Sequence, residues 1–182
     1  MAGGSETKHG AQSFIRAYGL FWRADQVRWS PGTGPFRILG RVGQNKGTLR
    51  VCDFRDQRGI YVLYDDFGPY YVGLAHYQAI GDRLKAHAVT DQHRNKWDRF
   101  SWFGFRSVLA ATNGDGTRRL GVVPKQLLTE SKQTISDIEA LLIQSLGTQH
   151  RGNKQQMQFH SAVKWLQIMD YETEIFLAKA AK

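Results

Sequence analysis

Two short apolar segments, Gly59-Ile60-Tyr61-Val62-Leu63-Tyr64 and Tyr70-Tyr71-Val72-Gly73-Leu74, flank the turn sequence Asp65-Asp66-Phe67-Gly68-Pro69. β-Branched and aromatic side chains suit a pleated, half-buried strand, and an acidic Gly-Pro turn between two such runs predicts an antiparallel hairpin. Residues 77–89 then place Ile80, Leu84 and His87 or Ala88 at helical spacing. After a loop carrying Asp91, His93, Arg94, Asn95 and Lys96, the run Phe100-Ser101-Trp102-Phe103-Gly104-Phe105 is apolar on both faces, which predicts a buried third strand. A chain with this block at its centre is committed to a sheet with helical cover.

The flanks are less regular. Residues 1–13 are small, polar and Gly-rich and read as a disordered lead-in. Phe14 to Trp29 is rich in aromatics and closes on Ser30-Pro31-Gly32. Residues 36–42 and 48–54 predict a second hairpin around Gly-Gln-Asn-Lys-Gly. Asn113-Gly114-Asp115-Gly116 turns the chain, and 117–132 carries no clear pattern. A helix is expected from Ser136, where Ser136-x-x-Glu139 has the form of a capping box. Its apolar stripe runs through Ile135, Ile138, Leu141, Leu142 and Leu146 to a stop at Gly147. A last helix is expected over roughly 157–179, with Val163, Leu166 and Met169 on one face.

These elements predict an α+β fold: a small, mainly antiparallel three-stranded sheet flanked by helices, extended by an N-terminal β-hairpin and a C-terminal helix. The expected division is a lead-in at 1–13, an aromatic and hairpin extension at 14–57, a core at 58–155 and a helix packed on it at 156–182.

Charge narrows the function. Lys and Arg number 25 against 16 Asp and Glu in 182 residues, a net +9, and the pI is near 9.8. That surplus favours anionic partners, with nucleic acid first. A membrane is disfavoured, because no apolar run approaches the roughly 20 residues of a spanning helix. The single Cys52 excludes an internal disulfide and a cysteine-cluster zinc site, and the opening MAGGSETKHG lacks a signal peptide's apolar stretch. The expectation is a soluble protein of the reducing cytoplasm.

The motif set resembles the GIY-YIG nucleases. Gly59-Ile60-Tyr61 and Tyr71-Val72-Gly73 match the two strand motifs that name the family, with Val in place of Ile in the second. Arg83 and His87, four positions apart and so on one helical face, match its helical arginine and the histidine that often follows. Glu139 and Asn153 match, in order and approximate distance, its helix-opening acidic residue and later asparagine. The resemblance covers about residues 59–155. It implies a divalent-metal-dependent endonuclease that hydrolyses phosphodiester bonds in nucleic acid, with DNA favoured over RNA, in a repair, restriction, mobile-element or phage-defence role.

Under that resemblance Tyr61 serves as general base on the attacking water. A phenol with a pKa of about 10 is a poor base unless nearby cations lower it, and Arg83 and His87 are placed to do so. Arg83 would also fork two oxygens of the scissile phosphate, with Arg94 as the alternative arginine. Glu139 would hold one Mg²⁺ or Mn²⁺ ion, reasonable for a hard cation that keeps most of its waters. Tyr71 would bond near the water or phosphate, and Asn153, Arg94 and Lys96 would contact substrate.

Each residue also has a plainer reading. Tyr61 and Tyr71 are ordinary cross-strand aromatics when taken singly, Arg83 an ordinary solvated charge, His87 a member of the apolar face and Glu139 a helix cap. Trp97, Trp102 and Phe103 read as core rather than a base-stacking platform. Only the ordered set favours chemistry. The alternative function is a nucleic-acid-binding module or accessory subunit that keeps the fold without catalysis. A homodimer or a protein partner that supplies specificity stays open.

Overall fold

The computed structural model describes residues 13–29, 36–90, 92–124, 131–147, 159 and 161–181. Nine strands form one mixed sheet in the order β5-β4-β6-β1-β9-β2-β3-β8-β7. They are β1 Ala17–Arg23, β2 Leu39–Val42, β3 Arg50–Asp53, β4 Gly59–Asp65, β5 Gly68–Ala75, β6 Arg99–Gly104, β7 Val108–Thr112, β8 Arg118–Leu120 and β9 Val163–Gln167. The described residues hold three helices, α1 Ile80–Val89, α2 Ser131–Leu146 and α3 Thr173–Ala180. The expected small three-stranded sheet flanked by helices is therefore wrong: β4, β5 and β6 are one end of a nine-stranded sheet.

The reason lies in β1 and β9. β1 pairs antiparallel with β6 and parallel with β9, matching Ala17 to Gly104 on one side and to Val163 on the other. β9 then pairs antiparallel with β2 through Gly40 and Gln167. These two strands weld the N-terminal hairpin to the central block. The expected helix over 157–179 is replaced by β9 and the eight-residue α3. Trp165 is the buried anchor of β9, whereas Val163 and Leu166, read as a helical face, are partly exposed.

The central hairpin forms where its composition places it. Tyr61 pairs with Gly73 and Leu63 with Tyr71, and Asp65 Oδ1 closes the turn by accepting the N–H groups of Phe67 and Gly68 at 2.8 and 3.1 Å. Alternation along β4 sorts its side chains onto two faces. Tyr61 and Leu63 join one core with Ile80 and Leu84 of α1, Phe54, Trp102 and Trp165. Val62 and Tyr64 join the other with Phe103, Phe105 and Ala140 of α2. α1 and α2 thus cover opposite faces of the sheet. Trp97, Trp102 and Phe103 are all buried, as core residues should be.

α2 differs from its expected form in two ways. It begins at Ser131, so Ser136 and Glu139 lie inside the helix and not at its start. Its sheet-facing side is Asp137, Ala140 and Ile143, and the expected stripe of Ile138, Leu142 and Leu146 is about half exposed. Asp137 sets this rotation: its Oδ2 accepts the Ser13 hydroxyl at 2.7 Å and the Phe14 N–H at 3.0 Å, which turns that side inward.

The β7–β8 turn is pinned to the chain leading into β2 by an Arg37–Asp115 ion pair at 2.6 Å. Burial alone would raise the Asp115 carboxyl, but the Arg37 guanidinium and the Thr117 hydroxyl and N–H outweigh it and hold the pKa at about 2. A carboxylate with a depressed folded pKa stabilises above its unfolded value and loses that contribution as pH falls through the folded one. Asp115→Asn is expected to lower stability by about 1 kcal/mol at neutral pH, a figure discounted because the pair is partly solvated. The difference from the parent should shrink between pH 4 and about pH 2, read by chemical denaturation across pH.

Candidate active site

Four of the sequence-selected residues converge. β4 supplies Tyr61, β5 supplies Tyr71, and α1, crossing the same face, supplies Arg83 and His87 from adjacent turns. The Tyr61 hydroxyl lies 2.8 Å from His87 Nε2. The Arg83 guanidinium is within hydrogen-bonding reach of the Tyr61 and Tyr71 hydroxyls. The Tyr71 ring stands 6.1 Å from that of Tyr61 and 5.2 Å from that of His87, centroid to centroid.

Donor arithmetic orients this network. Arginine can only donate, so in the tautomer with His87 Nε2 as acceptor the Tyr61 hydroxyl can turn its oxygen to Arg83 and its proton to His87. The Arg83 Nε is buried and has no hydrogen-bond partner among the described residues.

Both motif glycines have a steric reason. A Cβ on Gly73 would sit 2.1 Å from Tyr61 Cζ and 2.2 Å from its hydroxyl oxygen, so the Tyr61 ring needs a bare residue opposite. Gly59, at φ +154°, brings β4 against β6, where a Cβ would lie 1.9 Å from the Phe103 carbonyl oxygen. The glycines let the sheet lay a tyrosine flat across its neighbour.

The electrostatics correct one expectation. Burial pushes the Tyr61 phenol above its ordinary value, and the Arg83 guanidinium, which acts to lower it, does not overcome that. Tyr61 is a neutral phenol at pH 7. It is also 0% exposed, so solvent reaches the cluster through half-buried Arg83 and Tyr71, not through the Tyr61 hydroxyl.

The loop after α1 adds a residue that the motif order passed over. His93 Nδ1 lies 3.1 Å from the Tyr70 hydroxyl, and its ring is 4.7 Å from that of Tyr71 and 4.8 Å from that of His87. Its position in a charged loop gave it the look of a solvated residue. The positive φ of Asn95, +61°, belongs to the bend that returns the chain to buried Trp97. Arg94 and Lys96 are exposed on the same loop, and it is Arg83 rather than Arg94 that meets the tyrosines.

Glu139 rides on α2, which packs against the opposite face of the sheet through Ala140. Asn153 lies outside the described residues. Around Tyr61 the groups named are phenols, imidazoles and a guanidinium, a poor match for the oxygen-rich shell of Mg²⁺ or Mn²⁺. No group of three or more His, Cys, Asp or Glu able to hold a metal occurs among the described residues. Among them, too, no helix is long and apolar enough to cross a membrane.

Fold and cluster together define a mixed-sheet protein with a buried tyrosine–histidine pair under an arginine. Comparison with protein-family models, with curated proteins and with solved structures finds no match to this chain.

Proposed function

We propose that the chain is an endonuclease that hydrolyses phosphodiester bonds in nucleic acid, DNA by preference, at the Tyr61–Tyr71–Arg83–His87 cluster. The observation that carries this reading is the arrangement itself: residues from two strands and a helix, chosen by motif order alone, gather around the Tyr61–His87 hydrogen bond. The net charge of +9 agrees, since Lys and Arg contacts to phosphate supply most non-specific affinity.

In this reading Arg83 meets the scissile phosphate, where its fork neutralises charge that builds on the oxygens. Phosphate that draws Arg83 outward also uncovers the Tyr61 hydroxyl. Tyr61 then takes a proton from the attacking water as its own passes to His87 Nε2, so the phenol need not ionise beforehand. Tyr71 positions the water or phosphate. The cation that the family resemblance implies does not fit this cluster, since its named groups are not those of a hard cation's shell and α2 carries Glu139 on the opposite face of the sheet.

The test is incubation of pure protein with supercoiled plasmid, linear duplex and single strands in Mg²⁺, Mn²⁺ or EDTA, beside Arg83→Ala and Glu139→Ala proteins. Cutting that disappears in Arg83→Ala supports the cluster as the active centre. Cutting that survives in Arg83→Ala overturns it. Cutting lost in EDTA and in a folded Glu139→Ala protein supports the cation ligand, and cutting retained in Glu139→Ala removes that assignment.

The second reading is a nucleic-acid-binding module without catalysis. What favours it is the closed state of the cluster, with Tyr61 fully covered and α2 on the far face. Salt-sensitive binding with no cutting on any substrate is its signature.

A further inference from the structure

Away from the Tyr61 cluster, the loop between β3 and β4, the β7–β8 hairpin and Arg37 surround an open cavity of about 480 Å³. Six arginines line it: Arg37, Arg55, Arg58, Arg106, Arg118 and Arg119. Three aspartates, Asp53, Asp56 and Asp115, leave a surplus of three positive charges.

The carboxylates are largely spoken for. Asp115 is paired with Arg37, and Asp53 Oδ1 accepts the N–H groups of Ile38 and Arg55, both at 3.0 Å. Arg55 reaches Asp56 only at 3.9 Å. Arg58, Arg106, Arg118 and Arg119 make no ion pair among the described residues. Arg106 donates instead to the carbonyls of Asp56 and Gly121, and Arg118 to that of Ala110, contacts that orient a guanidinium without cancelling its charge. Arg58 Nη1 is buried with no hydrogen-bond partner among the described residues. A structural role would consume these charges in pairs. Here four of them stay unneutralised around one cavity, two of them, Arg106 and Arg118, held by backbone carbonyls.

We propose that this arginine cavity binds phosphates of a nucleic-acid backbone, as a grip separate from the cluster that would cut it. The nucleic-acid source rests on the function proposed above; the phosphate chemistry rests on the cavity alone. The described residues that line it include no aromatic ring, so it grips phosphate and does not stack a base. Arg58 leads directly into β4, and Tyr61 follows three residues later, about 10 Å along an extended strand.

The experiment measures binding of labelled duplex and single-stranded oligonucleotides over a salt series in EDTA, with inorganic tripolyphosphate as a separate ligand. Parent, Arg119→Gln, Arg58→Gln and Lys164→Gln proteins are compared after their folding is checked by thermal melting. Arg119 is exposed, so its variant stays informative even if Arg58→Gln unfolds. The expected result is an affinity loss of about tenfold in Arg119→Gln, the scale of one charge-assisted hydrogen bond. Its salt slope should be shallower by about 0.9, the value of one phosphate contact. Lys164→Gln, which removes an exposed charge outside the cavity, should bind as the parent does. Oligonucleotide affinity and slope unchanged in Arg119→Gln overturn the proposal. A loss confined to tripolyphosphate also overturns it, in favour of a small phosphorylated ligand. Loss of binding in the arginine variants of a protein that never cuts supports the grip and removes only the nuclease reading.

Discussion

Tyr61→Phe should fold and lose turnover by roughly 10²- to 10⁴-fold, the usual worth of a positioned proton-transfer group. Only a hydroxyl is removed, and the ring keeps its place over Gly73 and against α1. Stability should fall by about 1–3 kcal/mol, because His87 Nε2 is left buried without the hydroxyl it meets at 2.8 Å. Binding of nucleic acid should be unchanged, since the hydroxyl is covered and phosphate meets Arg83 first. The pH profile separates the relay from a base that must ionise first. The relay leaves the phenol un-ionised, so the parent rate should not climb toward the raised phenol pKa, whereas a climb there would point to a phenolate base in place of the relay. A folded Tyr61→Phe protein with parental turnover would remove Tyr61 from the chemistry.

Gly73→Ala is expected to damage fold and site together. The new methyl would lie 2.1 Å from a carbon of a fully buried ring, with β4 behind that ring and α1 above it. Overpacking of this kind destabilises by about 1–3 kcal/mol. Any relief must come from moving Tyr61, which breaks the contact with His87. Reduced stability should therefore come with a fall in cleavage, and more of it than a comparable core lesion remote from the cluster produces. Gly114→Ala is the control, because its Cβ would meet nothing within 4 Å, and it should change neither quantity. Parental stability and activity in Gly73→Ala would show that the Tyr61 ring is not held where the register places it.

What could be read from the chain, and what could not, divides along the range of the interactions. The hairpin at 59–74 was legible because every cue in it is local: β-branched and aromatic runs, an acidic turn with Gly and Pro, and pairing between near neighbours. α1 was legible by its 3.6-residue spacing, with Ile80, Leu84 and His87 buried. β1 was not. It is central, with buried residues on both faces, so its aromatics show no alternation, and its partners are 76 to 146 positions away. β9 misled for a related reason. Val163, Leu166 and Met169 mimic a helical face, but the dominant contact is the burial of Trp165 between two distant strands.

By itself the sequence determined the types and order of the residues that meet at Tyr61, because a hairpin followed by an amphipathic helix has few ways to place them. The fit of Gly73 beneath Tyr61, the burial that raises the phenol and the arrival of His93 were decided by tertiary structure, since each depends on a neighbour from another element. So was the side of the sheet on which α2 carries Glu139. Helical spacing says which residues share a face of the helix; only Asp137 bonded to Ser13 and Phe14, and Ala140 packed beside Val62 and Tyr64, say which way that face turns.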